Sequence, residues 1–438
     1  MQIGVIHMLR FAQAPTSDMH INDLRAAILN YIVSQQHNEH FIIRIDDLEK
    51  EKNIEGKDTE IMQILEKFAL NHDSVFHQSE HLHMHQTMAI KLLKEEKAFL
   101  CICTPKETNA HKEKLKNNKV DKEYIDSYNG MCIDAPYNID ALKEEKTPFT
   151  IRIKQPEAPI MYHDLIQGDM TTAPNEIDAF IILHEDGTPS KEFASACDDM
   201  LSGISMLISE KEYLLHTARQ IHVKKQLGFD AKTHYAHIPS PTMKDNNPSV
   251  KWLFEQGYIP DAIINYLLLI GTPNTPKKIF TLPEAISWFK LENILSTEAT
   301  FDIDRLRFIN REHLKRIDDK LLSSLFGFAD ADVGKLVKLY LEEASTINEL
   351  ALKIRPIFAP KCFEGKWTEE MKQLQKIITD APMIHSFDDF SKHLMHHSGL
   401  NEKDFSHALR LLLTGTEEGP DLANIYPLIK SYLLEIAS

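Results

Sequence analysis

The segment Arg10-Phe11-Ala12-Gln13-Ala14-Pro15-Thr16-Ser17-Asp18-Met19-His20-Ile21-Asn22-Asp23-Leu24-Arg25 has the residue types needed to hold a phosphorylated ligand. An apolar strand ends, a polar turn follows, and His20 stands just before an amphipathic helix, whose first amides and dipole favour an anion. A histidine there can also serve as a cap or core residue, so the flanking pattern must decide. A second group, Cys101-x-Cys103 with Cys132 further on, offers thiolates at a spacing that suits one tetrahedral zinc ion, against the alternative of three reduced, buried thiols. Arg10 and Arg44 read as anion-binding or ion-pair residues, and Asp198 and Asp199 as site or helix-capping carboxylates. His81-x-His83-x-His85 reads as a solvated helix end, as do His393, His396 and His397. The basic strip over residues 112–122 reads as a solvated loop.

Positioning those residues takes alternating strands and helices. Leu9 to Ala12 predicts a buried strand, Asn22 to Gln35 an amphipathic helix and Phe41 to Ile45 a second strand, a β-α-β pattern that implies parallel pairing. In an open sheet of this kind the ligand lies at the carboxyl ends of the strands. Two helices follow, then from Ala98 a Cys-Ile-Cys strand leads into an insertion with its own small core. Strand signals return at Phe149–Ile153 and Ala179–Leu183, with helices at Phe193–Ser202 and Leu214–Leu227. Beyond Pro248 the pattern is helical, punctuated by Pro273, Pro276, Pro356, Pro360, Pro382 and Pro420. The expected fold class is an α/β nucleotide-binding, Rossmann-like domain with an inserted small domain, followed by an all-α C-terminal half. Its expected parts are residues 8–100 with 179–239, the insertion 101–178, a helical region 240–317 and a helical region 318–438.

Composition narrows the function classes. The 438 residues contain 15 glycines, about half the usual roughly 7%, and neither common glycine-rich phosphate loop occurs. Five cysteines argue against a disulfide framework and for a reducing cytoplasm. No apolar run reaches the roughly 18 residues that span a bilayer, so no membrane partner is expected. The formal net charge of −16 repels nucleic acid overall, and any such binding requires a local basic face.

Taken together, the opening segment resembles the signature Arg-Phe-Ala-Pro-Ser-Pro-Thr-Gly-x-Leu-His-Ile-Gly of the glutamyl-tRNA synthetases, a class I "HIGH" motif. Arg44-Ile45-Asp46-Asp47 resembles that family's Arg-Ile-Glu-Asp, and Phe193-Ala194-Ser195-Ala196-Cys197-Asp198-Asp199 its Asn-Phe-Ala-x-x-Asp-Asp. Ser249-Val250-Lys251-Trp252 and Gly257 to Leu267 are similar to the stretch that follows the family's "KMSKR" loop. Phe301 to Leu314 continues the match, which runs from about Met8 to about Asp319. The resemblance implies ATP and tRNA as ligands, glutamate activated as an acyl-adenylate, and a monomer. It implies that Arg10 grips the glutamate substrate, that Asp46 meets its amino group, and that the "KMSKR" positions fall on Ser240-Pro241-Thr242-Met243-Lys244. The phosphate-contacting lysine of that loop then aligns with Met243, and a small shift would recruit Lys244. It also implies a zinc site in the insertion from Cys101, Cys103, Tyr128 and Cys132, with Asp134 where the family has a histidine.

Several positions depart from the family pattern. Asn22 and Ser17 stand in place of glycines, and a side chain at Asn22 occupies space meant for a nucleotide against bare backbone. Lys191-Glu192-Phe193 replaces a run with tyrosine and asparagine, and Ser209-Glu210-Lys211-Glu212-Tyr213 replaces Arg-Gly-Glu-Asp-His. Losing the arginine at Ser209 removes a charge-assisted hydrogen bond of roughly 1.5–3 kcal/mol. Two functions follow: an ATP-dependent ligase joining glutamate to tRNA with altered site residues, or a catalytically inactive paralogue that binds tRNA or a protein partner. Concurrent losses in the nucleotide turn, the amino-acid pocket and the lysine loop favour the second, with glutamate recognition lost.

Overall fold

A computed structural model describes residues 8–104, 107, 132–243 and 248–437. They divide into two compact units, the first of residues 1–250 and 267–301, the second of residues 251–266 and 302–438.

The first unit opens with β1 (Met8–Gln13), α1 (Ile21–His37) and β2 (His40–Ile45). β1 and β2 pair in parallel, Arg10 beside Ile42 and Gln13 beside Ile45. α1 packs against them with twelve buried residues, among them Leu24, Ile28 and Ile32, which explains its low polarity on all sides. It stops at Asn38, in the left-handed conformation (φ 54°), while the Glu39 amide bonds the Ser34 carbonyl. Asparagine tolerates that conformation better than most side chains.

α2 (Lys57–Lys67), β3 (Ser74–His77), α3 (Leu82–Lys94), β4 (Ala98–Cys101) and α4 (Ile139–Glu144) follow. Next come β5 (Thr150–Ile153), β6 (Ile160–Asp164), β7 (Gly168–Thr172) and β8 (Ile181–Leu183). α5 (Lys191–Leu201), β9 (Ile204–Glu210), α6 (Leu214–Gln226) and β10 (His234–Ile238) complete the sheet region. The seven-stranded sheet runs β3-β2-β1-β9-β10-β6-β7, parallel as far as β6 and closed by the β6–β7 hairpin. The strand order reverses about β1 and β9, so a crevice opens at their carboxyl ends. This is the Rossmann-like sheet expected. The hairpin at 160–172, read as part of the insertion, instead extends the large sheet. β8, within the stretch 179–239 read as part of the α/β domain, pairs with β5, and β5 with β4, in a separate antiparallel sheet. Asp164 at the end of β6 bonds backbone and side chain of His237 on β10, a tie between residues distant in sequence that pattern alone does not reveal.

Among its described residues the second unit is helical, from Ile303–Arg316 to Leu433–Ile436. Its core joins Leu314, Leu336, Tyr340, Ile354, Leu374, Phe390, Leu409 and Ile425. Buried Asn310 donates to the Ser345 carbonyl (2.6 Å) and accepts from the Ile259 amide (2.9 Å). No helix among the described residues is long and apolar enough to cross a membrane. The helices Asp319–Ser324 and Ala331–Leu339 meet so closely that a Cβ on Gly334 would lie 1.8 Å from the Asp319 carbonyl oxygen. Gly334→Ala is therefore expected to destabilise the protein by about 1–3 kcal/mol, read as a lowered urea midpoint. An unchanged midpoint would show that the two helices are not in this close contact.

Candidate active site

The crevice is organised around Asp199. This carboxylate lies near the end of α5, fully buried, and is held by two arginines from neighbouring strands. Arg10 of β1 donates to it through Nε (2.5 Å) and Nη2 (2.9 Å), and Arg44 of β2 through Nη1 (2.9 Å). Arg44 spends its other nitrogens on Asp46 (2.6 and 3.3 Å) and Ser195 (3.0 Å). Burial pushes the Asp199 carboxyl up, but Arg10, Arg44 and Lys224 outweigh it and hold the group well below the usual carboxylate range. Asp198 and Asp199, which the sequence offers as helix-start caps, are thus ion-pair residues on the last turns of α5. The capping alternative fails because the helix starts at Lys191 behind Ser190, which puts both residues inside it near its C-terminal end.

The histidines of α3 belong to this frame too. His81 Nδ1 and His85 Nε2 both bond Asp198 Oδ1, at 2.9 and 2.8 Å, and Gln78 donates to its other oxygen at 2.8 Å. His85 is fully buried, contrary to the solvated helix end read from its spacing. Two polar positions one turn apart can face inward when a buried acid waits there.

Arg10, Arg44 and Asp46 therefore meet at one site as the sequence suggests, but Arg10 is spent on Asp199 and Asp46 on Arg44. Lys191, at the start of α5, lies with its Nζ 5.6 Å from the centre of the Tyr213 ring. Ser209 and Glu210 end β9 on the opposite wall.

At the turn before α1, His20 donates its backbone amide to Asp23 (3.0 Å), and a β-bridge joins it to Ser249. Asn22 reaches across to Glu210 (3.3 Å). The Ser240 hydroxyl lies 2.8 Å from a Glu210 oxygen and 3.0 Å from a Glu212 oxygen, which share its one hydrogen. Thr242 is pinned beside Thr300, while Met243 follows it half-buried. Lys244 lies outside the described residues. The Glu210 carboxyl is pushed up by burial and by Asp23 and Glu212 beyond it, and burial pushes Asp23 up as well. Among the described residues, this end of the crevice gathers the carboxylates of Asp23, Glu210 and Glu212 around the Ser240 hydroxyl.

The three thiols of Cys101, Cys103 and Cys132 come together, their sulfurs within 4.8 Å and Cys103 to Cys132 at 3.4 Å. This donor set fits a zinc ion with Zn–S bonds of about 2.3 Å. Asp134 does not join the group: it is exposed, on the turn that begins at Cys132. Tyr128 lies outside the described residues. Sequence reasoning overlooked Tyr137, whose phenol burial and all three thiols push up; its place directly after Pro136 gave no signal.

Comparison with known proteins adds relatives to this geometry. Residues 7–308 match the family model of class I tRNA synthetases (E and Q), catalytic domain. The chain is 55% identical to glutamate–tRNA ligase 2 of Sulfurovum sp. (strain NBC37-1), over 98% of this chain and the full length of that protein. It is 45% identical to glutamate–tRNA ligase 2 of Sulfurimonas denitrificans, with the same coverage. In fold it is similar to the crystal structure of a glutamate tRNA ligase from Elizabethkingia meningosepticum in complex with its amino acid, at a TM-score of 0.80 and 23% identity over 99% and 98% of the two chains.

Breaking the Asp199 pairings leaves the buried Arg44 and the partly buried Arg10 guanidiniums short of a counter-charge. Asp199→Asn is expected to cost about 3–5 kcal/mol of stability, measured by urea unfolding at pH 7. Because its folded pKa is depressed, the carboxylate contributes stability above the unfolded value of about 3.9, and that contribution is lost as pH falls through the lower folded value. The wild-type advantage over Asp199→Asn should accordingly shrink below about pH 4. A substitution that leaves stability unchanged at pH 7 would rule out this central role.

Proposed function

The chain belongs to the glutamate-type class I tRNA synthetases, and from that premise we propose that it keeps the tRNA-binding architecture of a glutamate–tRNA ligase but no longer activates glutamate with ATP. The observation that carries the reading is the acidic nucleotide end. Ser240, at the first position of the lysine-loop motif, and Asn22, at the glycine of the histidine motif, both donate to Glu210. The family's activation step has no protein nucleophile, so it depends on positioning and on charge stabilisation at the phosphates. Carboxylates at that end raise the barrier instead of lowering it. The names of the full-length relatives support tRNA and glutamate as the ancestral substrates, and the arginine frame on Asp199 preserves the shape of the site without freeing Arg10 for an anion.

ATP–pyrophosphate exchange with each amino acid, with and without tRNA, tests this directly. The expected result is no glutamate-dependent exchange, together with a gel-shift complex with total tRNA. ATP affinity, measured by calorimetry, is expected to rise when Asn22→Gly is combined with Glu210→Gln. Robust glutamylation of tRNA by the unaltered protein, abolished by Arg10→Ala, would make the chain an active ligase and overturn the reading.

We also infer that the thiol group holds one zinc ion through Cys101, Cys103 and Cys132, as a structural tie in the insertion. Metal analysis of protein purified without chelators is expected to find about one equivalent of zinc. The metal should fall away in Cys101→Ser or Cys132→Ser. Less than about a tenth of an equivalent in the unaltered protein would count against the site.

A further inference from the structure

Where α3 meets α5, three metal-ligating side chains converge. His81 stands at the cap of α3 and His85 lies one turn further along it. Both turn a ring nitrogen to the same oxygen of Asp198, at 2.9 and 2.8 Å. None of the three lines the crevice beside Arg10 and Lys191. We propose that His81, His85 and Asp198 form a site for one divalent ion of the zinc class, with water at its open position. The site is separate from the thiol group of the insertion and does not depend on whether glutamate is activated.

The donors are held in place before any ion arrives. Phe76 stacks on the His81 ring, with centroids 4.8 Å apart and planes at 29°. The side chains of His85 and Asp198 are fully buried. Gln78, itself 1% exposed, donates to the second Asp198 oxygen at 2.8 Å, which fixes the carboxylate with its first oxygen toward the imidazoles. A ligating carboxylate ordinarily has such an outer hydrogen bond. The ligand atoms of the three residues lie within 4.8 Å of one another. A tetrahedral ion with bonds of about 2.0–2.2 Å sets its ligand atoms about 3.3–3.6 Å apart, so the two hydrogen bonds need to open by roughly half an ångström. His81, whose side chain is 32% exposed, has room for that move and gives water a path to the ion.

Two imidazoles and one carboxylate suit zinc and related first-row ions, whereas calcium and magnesium take oxygen ligands. When an ion sits on His85 Nε2, the imidazole hydrogen moves to Nδ1, which is buried and has no partner among the described residues. That missing acceptor makes His85 a weaker ligand than one backed by a carbonyl or carboxylate. Charge works in both directions. The frame beside Asp198 sets Arg10, Arg44 and buried Lys224 against Asp46, Asp199 and Asp198 itself, three of each sign. The turn that carries Gln78 and His81 adds acid, since Asp47 accepts from Ser79 and His77 pairs with Asp58. Neither acid has a lysine or arginine bonded to it among the described residues, and nearby Lys57 is already matched by Asp18 and Glu60. These acids offset the charge of the ion while Arg44 opposes it, which sets a moderate, micromolar affinity.

Equilibrium dialysis of the full chain against about 100 μM free zinc, a hundredfold above a micromolar constant, counts the bound metal. The expected result is one equivalent that His81→Ala removes and Cys101→Ser leaves in place. Gln78→Leu, which deletes only the outer hydrogen bond, should weaken that equivalent about tenfold or more. His393→Ala controls for surface imidazoles, because His393 and His397 lie 4.2 Å apart on the helix Phe387–Ser398, and it should leave the equivalent unchanged. In the unaltered protein, cobalt(II) in place of zinc should add ligand-field bands that saturate without further growth of the sulfur-to-metal band of a thiolate site, and thermal melts establish that each variant is folded. A zinc count in His81→Ala equal to that of the parent, loss of the equivalent in His393→Ala, or cobalt bands that rise only together with the sulfur band would each overturn the site. An equivalent lost in Cys101→Ser alone would keep the thiol reading and overturn this one.

Discussion

Three elements far apart in sequence are fastened by one buried carboxylate. Asp199 on α5 takes Arg10 from β1 and Arg44 from β2, and through Arg44 it also reaches Asp46 and Ser195. A buried ion pair gains little over well-packed apolar residues, yet breaking one is costly, because the surviving charge has no solvent. The frame therefore constrains more than it stabilises. It holds the ends of β1 and β2 and the face of α5 in one arrangement, and the crevice takes its shape from that arrangement. Asp198 extends the tie to α3 through His81 and His85.

The same constraint decides which groups the crevice can offer a ligand. A guanidinium bonded through two nitrogens to a protein carboxylate has less to offer a substrate carboxylate, and at Ser209 the family's arginine is missing. Across the cavity, Asn22 and Ser240 turn their donors on Glu210. Each is a modest change in a hydrogen bond. Together they gather two donors on one carboxylate at that end of the crevice.

The antiparallel sheet of β4, β5 and β8 shares a core with α5, where Leu100, Ile151 and Ile182 pack with Phe193 and Ala196, while the thiols of Cys101, Cys103 and Cys132 form a group of their own. Small sheets bury limited apolar area, and a thiolate-bound metal is a common way to hold one in shape.

Much of this was legible in the sequence because it is local. Period-two and period-3.6 patterns give β1, α1 and β2, and the run from Arg10 to Arg25 with its counterparts at Arg44 and Phe193 identifies the family, since motif order survives substitution at single positions. Cysteine spacing located the thiol group. What only the tertiary structure decided is pairing between residues distant in sequence. That Arg10 is consumed by Asp199, that His85 is buried on Asp198, that β6 joins the large sheet while β8 leaves it, and that Asn22 and Ser240 converge on Glu210 all depend on which strand lies beside which. Side-chain type fixes what a residue can donate or accept, but the partner that takes it is set by strand order, and strand order is a property of the whole sheet.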